Sequence, residues 1–395
     1  MSPRALLFDG GIPNKSAVRY PCVKRLLKQL HDCARTATPA CTLDLFCGDS
    51  TKDALPFSFS ITNDIDPQKE ATHHMDALAL LRTLEDDSCA LIFADPPFSP
   101  NQVEKKYGNH GANIDVAYMH DLFAQIERVL APAGRVVVCG FDGAAPAGLR
   151  TELVLVCTGG GEKNPMVVTV AATAGSANLP EELVDALGKH EPIKLYDTDH
   201  PLLESPKVCT RMQKLLKWAQ VSVSVCDPGR HNLRFTRYNN VQRGSRSCPN
   251  KDDLQWLLDL EPQSVDVAMC VPPDITEGGK IYQRYKMLYT PRMHIPTSTG
   301  YAAGLKEQIN RIVRFGGHLL WVSVVPGGGF KVRGWHRDVV FMRRRGVGTP
   351  AVYATFLERV AESDYDAKRV PRKPKRKRGG EKHNHQIAAY FTQRT

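Results

Sequence analysis

The sequence lacks the features that define membrane-spanning and disulfide-stabilised proteins. No stretch approaches the roughly 18–20 uninterrupted apolar residues of a membrane-spanning helix, and the first residues, MSPRALLFDGG, contain no apolar signal core. The 11 cysteines are scattered singly, without a C-x-x-C pair or a Cys/His cluster at metal-ligand spacing. We therefore expect a soluble intracellular protein with no disulfide framework and no metal site.

A surplus of positive charge is also missing from most of the chain. The net charge is +10, but residues 368–395 carry ten Lys or Arg against one Glu, so the rest is nearly neutral. The segment KRVPRKPKRKRGGEK has almost no apolar residues, which predicts a disordered tail over residues 363–395. Such a tail is a nuclear-localisation signal (residues 368–382), a phosphate-binding arm or a solubilising extension. The first interpretation predicts a nuclear protein in a eukaryotic host, and otherwise we expect a cytoplasmic one.

Helix and strand patterns alternate along the chain, as is typical of an α/β protein with a mostly parallel sheet. The first half predicts a helix, two strands, a second helix, a third strand and a third helix, followed by a strand and a hairpin. These elements fall at residues 19–30, 41–48, 57–66, 75–85, 89–98, 117–130, 135–141 and 152–173.

The second half repeats this order roughly 175–190 positions downstream. For example, VDVAMCVPPD (265–274) stands opposite CALIFADPPF (89–98), and GYAAGLKEQINRIVRFGG stands opposite AYMHDLFAQIERVLAPAG. The repeat predicts a tandem duplication with units at 1–180 and 201–362, joined by a linker at 181–200. Two unrelated α/β domains are the alternative.

Polar residues gather where the predicted strands of the first half end. Ligands bind at the carboxyl ends of the strands in an open parallel sheet, so these residues are candidates for a binding site. Gly48 lies on the turn after the first strand, and Asp64 follows the second strand, where a carboxylate can accept hydrogen bonds from ribose hydroxyls. Asp76 either caps the next helix or contacts an adenine ring.

The tetrapeptide Asp95-Pro96-Pro97-Phe98 ends the third strand. Two prolines fix φ twice and remove two N–H donors, which holds the neighbouring carbonyl groups in set directions. The Asp95 carboxylate and the adjacent carbonyl are suited to accept both hydrogens of a planar exocyclic amine, while Phe98 stacks on its ring. This arrangement localises the nitrogen lone pair for attack on an electrophilic carbon. Phosphate anchoring would instead require Lys or a glycine-rich loop, and this loop has neither.

The motifs LDLFCG, TNDID, MDAL and DPPF resemble, in this order, those of the class I S-adenosylmethionine (SAM)-dependent amino-methyltransferases, over about residues 20–175. The resemblance implies a Rossmann-like fold with a C-terminal antiparallel hairpin, and SAM as cofactor. It implies a catalytic loop of Asp95, Pro96, Pro97 and Phe98. It also implies a cofactor site made by Asp44, Phe46, Cys47, Gly48, Asp64, Asp76 and Ala77. The first turn departs from the family pattern, because it lacks the second glycine that is common there.

Within this family, aspartate at the first loop position implies transfer to adenine N6, for which we expect DNA as the substrate. RNA methylation at adenine N6 or guanine N2 is the alternative, and a non-catalytic nucleic-acid-binding protein is the alternative from another class. The polar loop after the motif carries Lys105, Lys106 and Tyr107, which either contact nucleic acid or belong to a solvated lid.

The second half has lost the residues that this chemistry needs. Aligning the Pro-Pro pairs puts Val271 where Asp95 stands, and valine cannot accept a hydrogen bond. The glycine turn has become Cys226-Asp227-Pro228-Gly229. We therefore expect residues 201–362 to keep the fold without the cofactor and to bind substrate or act as a scaffold.

The chain ends in an apolar cluster at helical spacing, formed by Ile387, Tyr390 and Phe391. The cluster resembles the peptide by which replication proteins dock on the sliding clamp, which would favour DNA as partner. Packing on the protein's own body is the alternative.

Overall fold

The computed structural model describes the two α/β regions and leaves the basic tail outside the description. The described residues are 3–9, 17–36, 41–48, 55–97, 114–158, 165–195, 205–225, 241–243, 257–270, 306–323, 326, 334–344, 347 and 351–361. Several predicted features lie outside these ranges, namely Phe98, Lys105, Lys106, Tyr107, Cys226–Gly229, Val271, Ile387, Tyr390 and Phe391. Among the described residues, no helix is long and apolar enough to span a membrane.

The described strands form one mixed, mostly parallel sheet with helices on both faces. The first half contributes β1 Arg4–Asp9, β2 Cys41–Asp44, β3 Ile61–Thr62, β4 Cys89–Ala94, β5 Leu130–Gly140, β6 Arg150–Thr158 and β7 Met166–Ala172. The second half contributes β8 Glu191–Leu195, β9 Ser222–Val225, β10 Val241–Arg243, β11 Val265–Cys270, β12 Val313–Ser323, β13 Trp335–Arg343 and β14 Val352–Arg359. The helices are α1 Pro21–Ala34, α2 Ala77–Thr83, α3 Val116–Val129, α4 Glu181–Asp185 and α5 Pro206–Trp218, with a 3₁₀ turn at Ala17–Arg19 and helical residues 306–312.

The strand order is the same in both halves when it is read outward from the centre of the sheet. The full order is β10-β9-β11-β12-β14-β13-β8-β1-β6-β7-β5-β4-β2-β3. β1 and β8 pair antiparallel at the centre, and each pairs parallel with its outer neighbour. β7 and β14 are antiparallel to both of their neighbours, which matches the hairpin predicted at the end of each half.

An arginine in each half makes three corresponding hydrogen bonds. Arg128 on α3 donates to the carbonyls of Leu84 and Leu81 at 3.0 and 2.7 Å, and to the Gln125 side chain at 2.9 Å. Arg311 donates to three groups in the same way, namely the carbonyls of Leu260 and Leu257 at 2.7 and 2.6 Å and the Gln308 side chain at 2.8 Å. Each arginine therefore ties its helix to the segment before the neighbouring strand.

The backbone shows the same correspondence in its left-handed residues. Asp87 and Gln263 have φ of 56° and 55°, and their N–H groups donate to the carbonyls of Arg128 and Arg311. Ala133 and Gly316 have φ of 65° and 75° in the irregular stretch that opens β5 and β12. The two halves thus share the unfavourable backbone positions as well as the regular ones.

The core of the first half forms two layers, one on each face of β4. All six residues of β4, CALIFA, are buried, as expected for a central strand covered on both faces. α1 and α4 pack on one face through residues that include Leu26, Leu30 and Leu183. α2 and α3 pack on the other face through residues that include Leu81 and Ile126. The predicted α/β architecture is confirmed.

The sequence predicted a linker over residues 181–200, but the structure has α4 and β8 there. β8 pairs with β1 through Leu6–Pro192 and Leu7–Glu191, and with β13 on its other side. Within EPIKL only Ile193 is buried, so the apolar pattern is too short to identify a strand. Its strand character comes from pairing with distant residues. β1 was not predicted either, and β3 is shorter than the predicted 57–66.

We predict opposite effects for Ala133→Gly and Gly316→Ala. Both positions are exposed and left-handed, and only alanine suffers steric strain there. Gly316→Ala should destabilise the fold by about 1 kcal/mol, and Ala133→Gly should stabilise it by up to a similar amount. Urea unfolding measures both free energies. Changes of the same sign would contradict the correspondence of the two turns.

Candidate functional site

The strand order brings three predicted site carboxylates to one edge of the sheet. β4, β2 and β3 are adjacent and parallel, so their carboxyl ends lie together. Asp44 is the last residue of β2 and pairs with both Phe93 and Thr62. Asp64 follows β3 by two residues, and Asp95 follows β4 directly. This edge is where ligands bind in open α/β sheets.

The turn after β2 is held by hydrogen bonds to both neighbouring strands. The Leu45 N–H donates to the Phe93 carbonyl at 3.0 Å, and the Cys47 N–H donates to the Asn63 carbonyl at 3.0 Å. The Phe46 N–H donates to the Asp44 carboxylate at 3.3 Å. Gly48 then adopts φ +51°, and no atom of the described residues, apart from its chain neighbours, lies within 4 Å of the position where a Cβ would be. The backbone is therefore open at Gly48 to a ligand that approaches closely.

Asp64 is a buried carboxylate that receives two backbone N–H donors. It is 3% exposed, and it accepts from Gly48 at 3.0 Å and from Asp66 at 2.9 Å. Burial raises the pKa of Asp64 above its ordinary value, and the two backbone hydrogen bonds partly oppose that rise. The direct bond between Asp64 and Gly48 joins the two residues that the sequence predicted to hold a nucleoside.

Asn63 connects the three segments that form this site. Its side-chain amide donates to the carbonyls of Leu45 and Met75 at 3.2 and 3.0 Å, and its side-chain oxygen accepts from the Met75 N–H at 3.3 Å. The side chain thus fixes the β2 turn relative to the segment that leads into α2. An amide is required because it must both donate to carbonyls and accept from an N–H.

Asp76 caps α2 and also contacts α3. One carboxylate oxygen accepts from the Ala79 N–H at 3.0 Å, and the other accepts from the Tyr118 hydroxyl at 2.8 Å. Burial, together with this hydrogen bond, raises the pKa of Tyr118. Of the two roles that the sequence left open for Asp76, the described residues show helix capping. Ala77 is the buried first residue of the same helix.

The start of the predicted catalytic loop is anchored to the 3₁₀ turn that precedes α1. The Asp95 carboxylate accepts from the Ala17 N–H at 3.2 Å, which orients it across a separation of 78 residues. Pro96 is buried and Pro97 half-buried beside it. Burial raises the pKa of Cys139 on β5, and the nearby charges of Asp95 and Asp44 raise it further. The Cys139 thiol therefore stays protonated between these carboxylates.

The described part of the chain thus brings together most of the predicted cofactor and catalytic residues. Asp44, Phe46, Cys47 and Gly48 lie at the β2 turn, Asp64 follows β3 and is bonded to that turn through Gly48, and Asp95 follows the adjacent strand β4. Four contributing residues were not predicted: Ala17, Asn63, Tyr118 and Cys139. Only Asn63 lies inside a predicted motif. Among the described residues, no cluster of three or more His, Cys, Asp or Glu could hold a metal.

We predict that Asn63→Leu destabilises the protein by about 3 kcal/mol, because it leaves two carbonyls and one N–H unpaired in a buried site. Asn63 is 1% exposed, so water cannot replace these bonds. Gln68→Leu, at an exposed position of the same segment, is the control and should change the free energy of unfolding by less than about 0.5 kcal/mol. Equal stabilities of the two variants in urea unfolding would show that the Asn63 bonds contribute little.

No family model and no curated protein matches the chain. Similar solved structures include yhhF from Escherichia coli, named as a methyltransferase, at 15% identity and a TM-score of 0.28, covering 42% of this chain and 90% of that chain. The Thermus thermophilus 16S rRNA N2 G1207 methyltransferase RsmC, in complex with AdoMet and guanosine, is 11% identical with a TM-score of 0.24, covering 84% of this chain and 92% of that chain. TrmN from Thermus thermophilus is 16% identical with a TM-score of 0.22, covering 72% and 79% of the two chains. Because similarities with such low sequence identities and TM-scores carry no functional argument, we infer the function from this chain's own residues.

Proposed function

We propose that this protein is a SAM-dependent methyltransferase that acts on an exocyclic amine of a nucleic-acid base, with adenine N6 in DNA as its substrate. The observation that carries the proposal is the arrangement of Gly48, Asp64 and Asp95 at the carboxyl ends of three adjacent parallel strands. On this proposal a site for a nucleoside lies next to a site for an amine.

The residues at the β2 turn fit SAM. The described residues leave space at Gly48, where a ligand would approach the backbone closely, as is expected at a glycine turn. Asp64 is held by two N–H donors, and a carboxylate has about four acceptor positions, so it is suited to bind ribose hydroxyls as well. Asp44, Phe46 and Cys47 complete the turn, and Asp76 and Ala77 begin the helix beside it. These seven residues would hold the cofactor.

The Asp95 loop supplies the chemistry of the acceptor. SAM, when bound, supplies a methyl group on a positively charged sulfur. The Asp95 carboxylate and the Pro96 carbonyl would accept the two hydrogens of the target amine, which localises its lone pair and aims it at the methyl carbon. Phe98 would stack on the base. The Ala17 N–H fixes Asp95 in advance, so that less ordering is required when the base binds.

We further propose that the two halves are copies of one methyltransferase fold and that the second copy is degenerate. The mirrored strand order, the Arg128 and Arg311 contacts and the paired left-handed residues support the duplication. The loss of an acceptor at Val271 supports the degeneracy. On this proposal residues 1–180 are catalytic, residues 201–362 provide a scaffold and substrate-binding unit, and β8 belongs with the second copy.

The choice of DNA rests on two features of the sequence: the aspartate that starts the catalytic loop and the apolar cluster that ends the tail. Aspartate at the start of the loop favours adenine N6, and the terminal Ile387, Tyr390 and Phe391 favour docking on a sliding clamp. The basic segment 368–382 would add affinity for phosphates and direct a eukaryotic protein to the nucleus. Lys105, Lys106 and Tyr107, which follow the catalytic loop, would contact the substrate.

We predict that Asp95→Ala lowers methyl transfer to DNA by at least about 100-fold while SAM still binds, because the acceptor of the amine hydrogens is lost and the cofactor turn is kept. Radiolabelled methyl transfer measures the rate, and calorimetry measures SAM binding. Glu85→Ala, which removes an exposed carboxylate from the same half, is the control and should be fully active.

Two results of this experiment would contradict the proposal. Equal transfer by the wild type and Asp95→Ala would mean that the catalytic loop lies elsewhere. The same sequence is presented as single-stranded RNA, single-stranded DNA and duplex DNA. Activity on RNA alone would mean that the substrate is RNA and not DNA.

We predict that SAM affinity falls as the pH is lowered through the raised pKa of Asp64. The ribose hydroxyls need a carboxylate as acceptor, and burial makes Asp64 take up its proton at a higher pH than the ordinary value of about 3.9. The affinity for SAM should therefore be at its maximum above the raised pKa of Asp64, and it should fall by up to about tenfold per pH unit below that pKa. Calorimetric titration between about pH 4 and pH 8 covers this window.

Asp64→Asn provides the matched control for this titration. The amide keeps the size of the side chain and loses the charge, so affinity at neutral pH should drop by about tenfold or more. The remaining binding should no longer change with pH in this window. Wild-type binding that is independent of pH would remove Asp64 from the cofactor site.

A further inference from the structure

The second half carries two large aromatic side chains on its surface, and each has an arginine on its ring. Trp218, the last residue of α5, is 48% exposed, and Phe315 on β12 is 44% exposed. The Arg314 guanidinium lies 4.9 Å from the centre of the Trp218 ring, and that of Arg359 lies 4.5 Å from the centre of the Phe315 ring. We call these four residues the aromatic–arginine patch.

The patch is held rigidly by its surroundings. Arg314 forms an ion pair with Asp266, which in turn accepts from the N–H groups of Gln220 and Val221 at 2.7 and 2.8 Å. Arg359 donates to the Val313 carbonyl. His318 meets Trp218 edge-on, with ring centres 5.5 Å apart. The two rings are therefore positioned in advance rather than free to turn away.

The fold itself does not require these side chains. The positions that correspond in the first half follow from the shared strand register and helix starts. They are Cys33 for Trp218, Ala131 for Arg314, Pro132 for Phe315 and Thr173 for Arg359. None of these residues is aromatic or charged. The first half folds in the same way without them, so the patch is specific to the second half.

β14 ends at a residue of this patch, and a basic sequence follows it along the chain. Arg359 is the last residue of β14, and the basic segment begins nine positions later at Lys368. The tail from Lys368 onward carries ten Lys or Arg against one Glu. On the body, Lys214 and Lys217 are exposed on the last turns of α5. Lys214 and Lys217 therefore lie on the same helix as Trp218, and the sequence that follows β14 is strongly basic.

We infer that the aromatic–arginine patch, with the exposed lysines of α5, binds single-stranded nucleic acid. The inference rests on the proposed function for the class of partner and adds the surface that holds it. Exposed aromatic rings stack on unpaired bases of any sequence, and guanidinium groups stack on bases or pair with phosphates. A duplex hides the faces of its bases, so it would engage the charges and leave the rings unused. An apolar peptide carries no negative charge that could pair with the arginines and lysines.

Fluorescence anisotropy with a labelled single-stranded oligonucleotide of mixed sequence, and with the same sequence as a duplex, tests this inference on the full-length protein. The double variant Trp218→Leu/Phe315→Leu keeps apolar area and removes the rings, and we expect it to bind the single strand about tenfold more weakly or worse. Its duplex affinity should change much less. The matched variant Trp218→Phe/Phe315→Tyr keeps the rings and should bind the single strand nearly as well as the wild type does.

Three results would overturn the inference: no binding of single strands by the wild type, equal single-strand affinity of the leucine variant and the wild type, or equal losses for single strand and duplex. Circular dichroism and the unfolding midpoint verify that both variants fold. The binding assay contains no SAM and measures no methyl transfer, so its result does not depend on catalysis. Loss of binding in the leucine variant without detectable methyl transfer by the wild type would support the patch and contradict the proposed enzyme.

Discussion

The antiparallel pairing of β1 with β8 is the interaction on which the architecture depends. Each half alone would end in a strand with unpaired N–H and C=O groups, which is a site for aggregation. The pairing is short, with Leu6 opposite Pro192 and Leu7 opposite Glu191, so hydrogen bonds alone cannot hold it.

An apolar cluster that includes Leu7, Val154, Ile193 and Tyr353 reinforces the β1–β8 pairing from both halves. Arg344 adds bonds to the Gly143 carbonyl and the Thr151 hydroxyl, and the Ala351 N–H donates to the Phe141 carbonyl.

Continuity of the sheet has a consequence for the site. β4 is buried on both faces and lies inside the sheet, so the Asp95 loop leaves a strand that cannot shift without disrupting the core. The β2 turn is fixed to β4 through Leu45 and to β3 through Cys47 and Asn63. The candidate site is therefore built on rigid elements, with a turn at which the described residues leave space beside Gly48. Geometry of this kind favours a reaction that depends on orientation, as the activation of a weakly nucleophilic amine does.

The sequence predicted local features well and long-range contacts poorly, for a physical reason. Apolar runs and turn residues act over a few positions, so CALIFA and the helix at Val116–Val129 could be predicted close to their observed bounds. The Ala17–Asp95 and Asp76–Tyr118 bonds join residues 78 and 42 positions apart, and nothing local distinguishes their partners from other residues. β8 was missed because its five residues become a strand only by pairing with β1 and β13. Asn63 was visible in TNDID, but its three bonds depend on how the segment folds around it.

Comparison of the two halves distinguishes residues that the shared fold requires from residues that serve a function in one half only. Features present in both halves, such as Arg128 with Arg311 and Ala133 with Gly316, are requirements of the shared backbone. Features present in one half only are free to serve a function, because the other half folds without them. Asp95 is such a feature in the first half, and Trp218 with Arg314 is one in the second. If the proposed methyltransferase carries its catalytic site in the first half and its binding surface for single-stranded nucleic acid in the second, mutations can remove either site without the other. The stability of the sheet would be the same in both cases, since neither site contributes to the β1–β8 pairing.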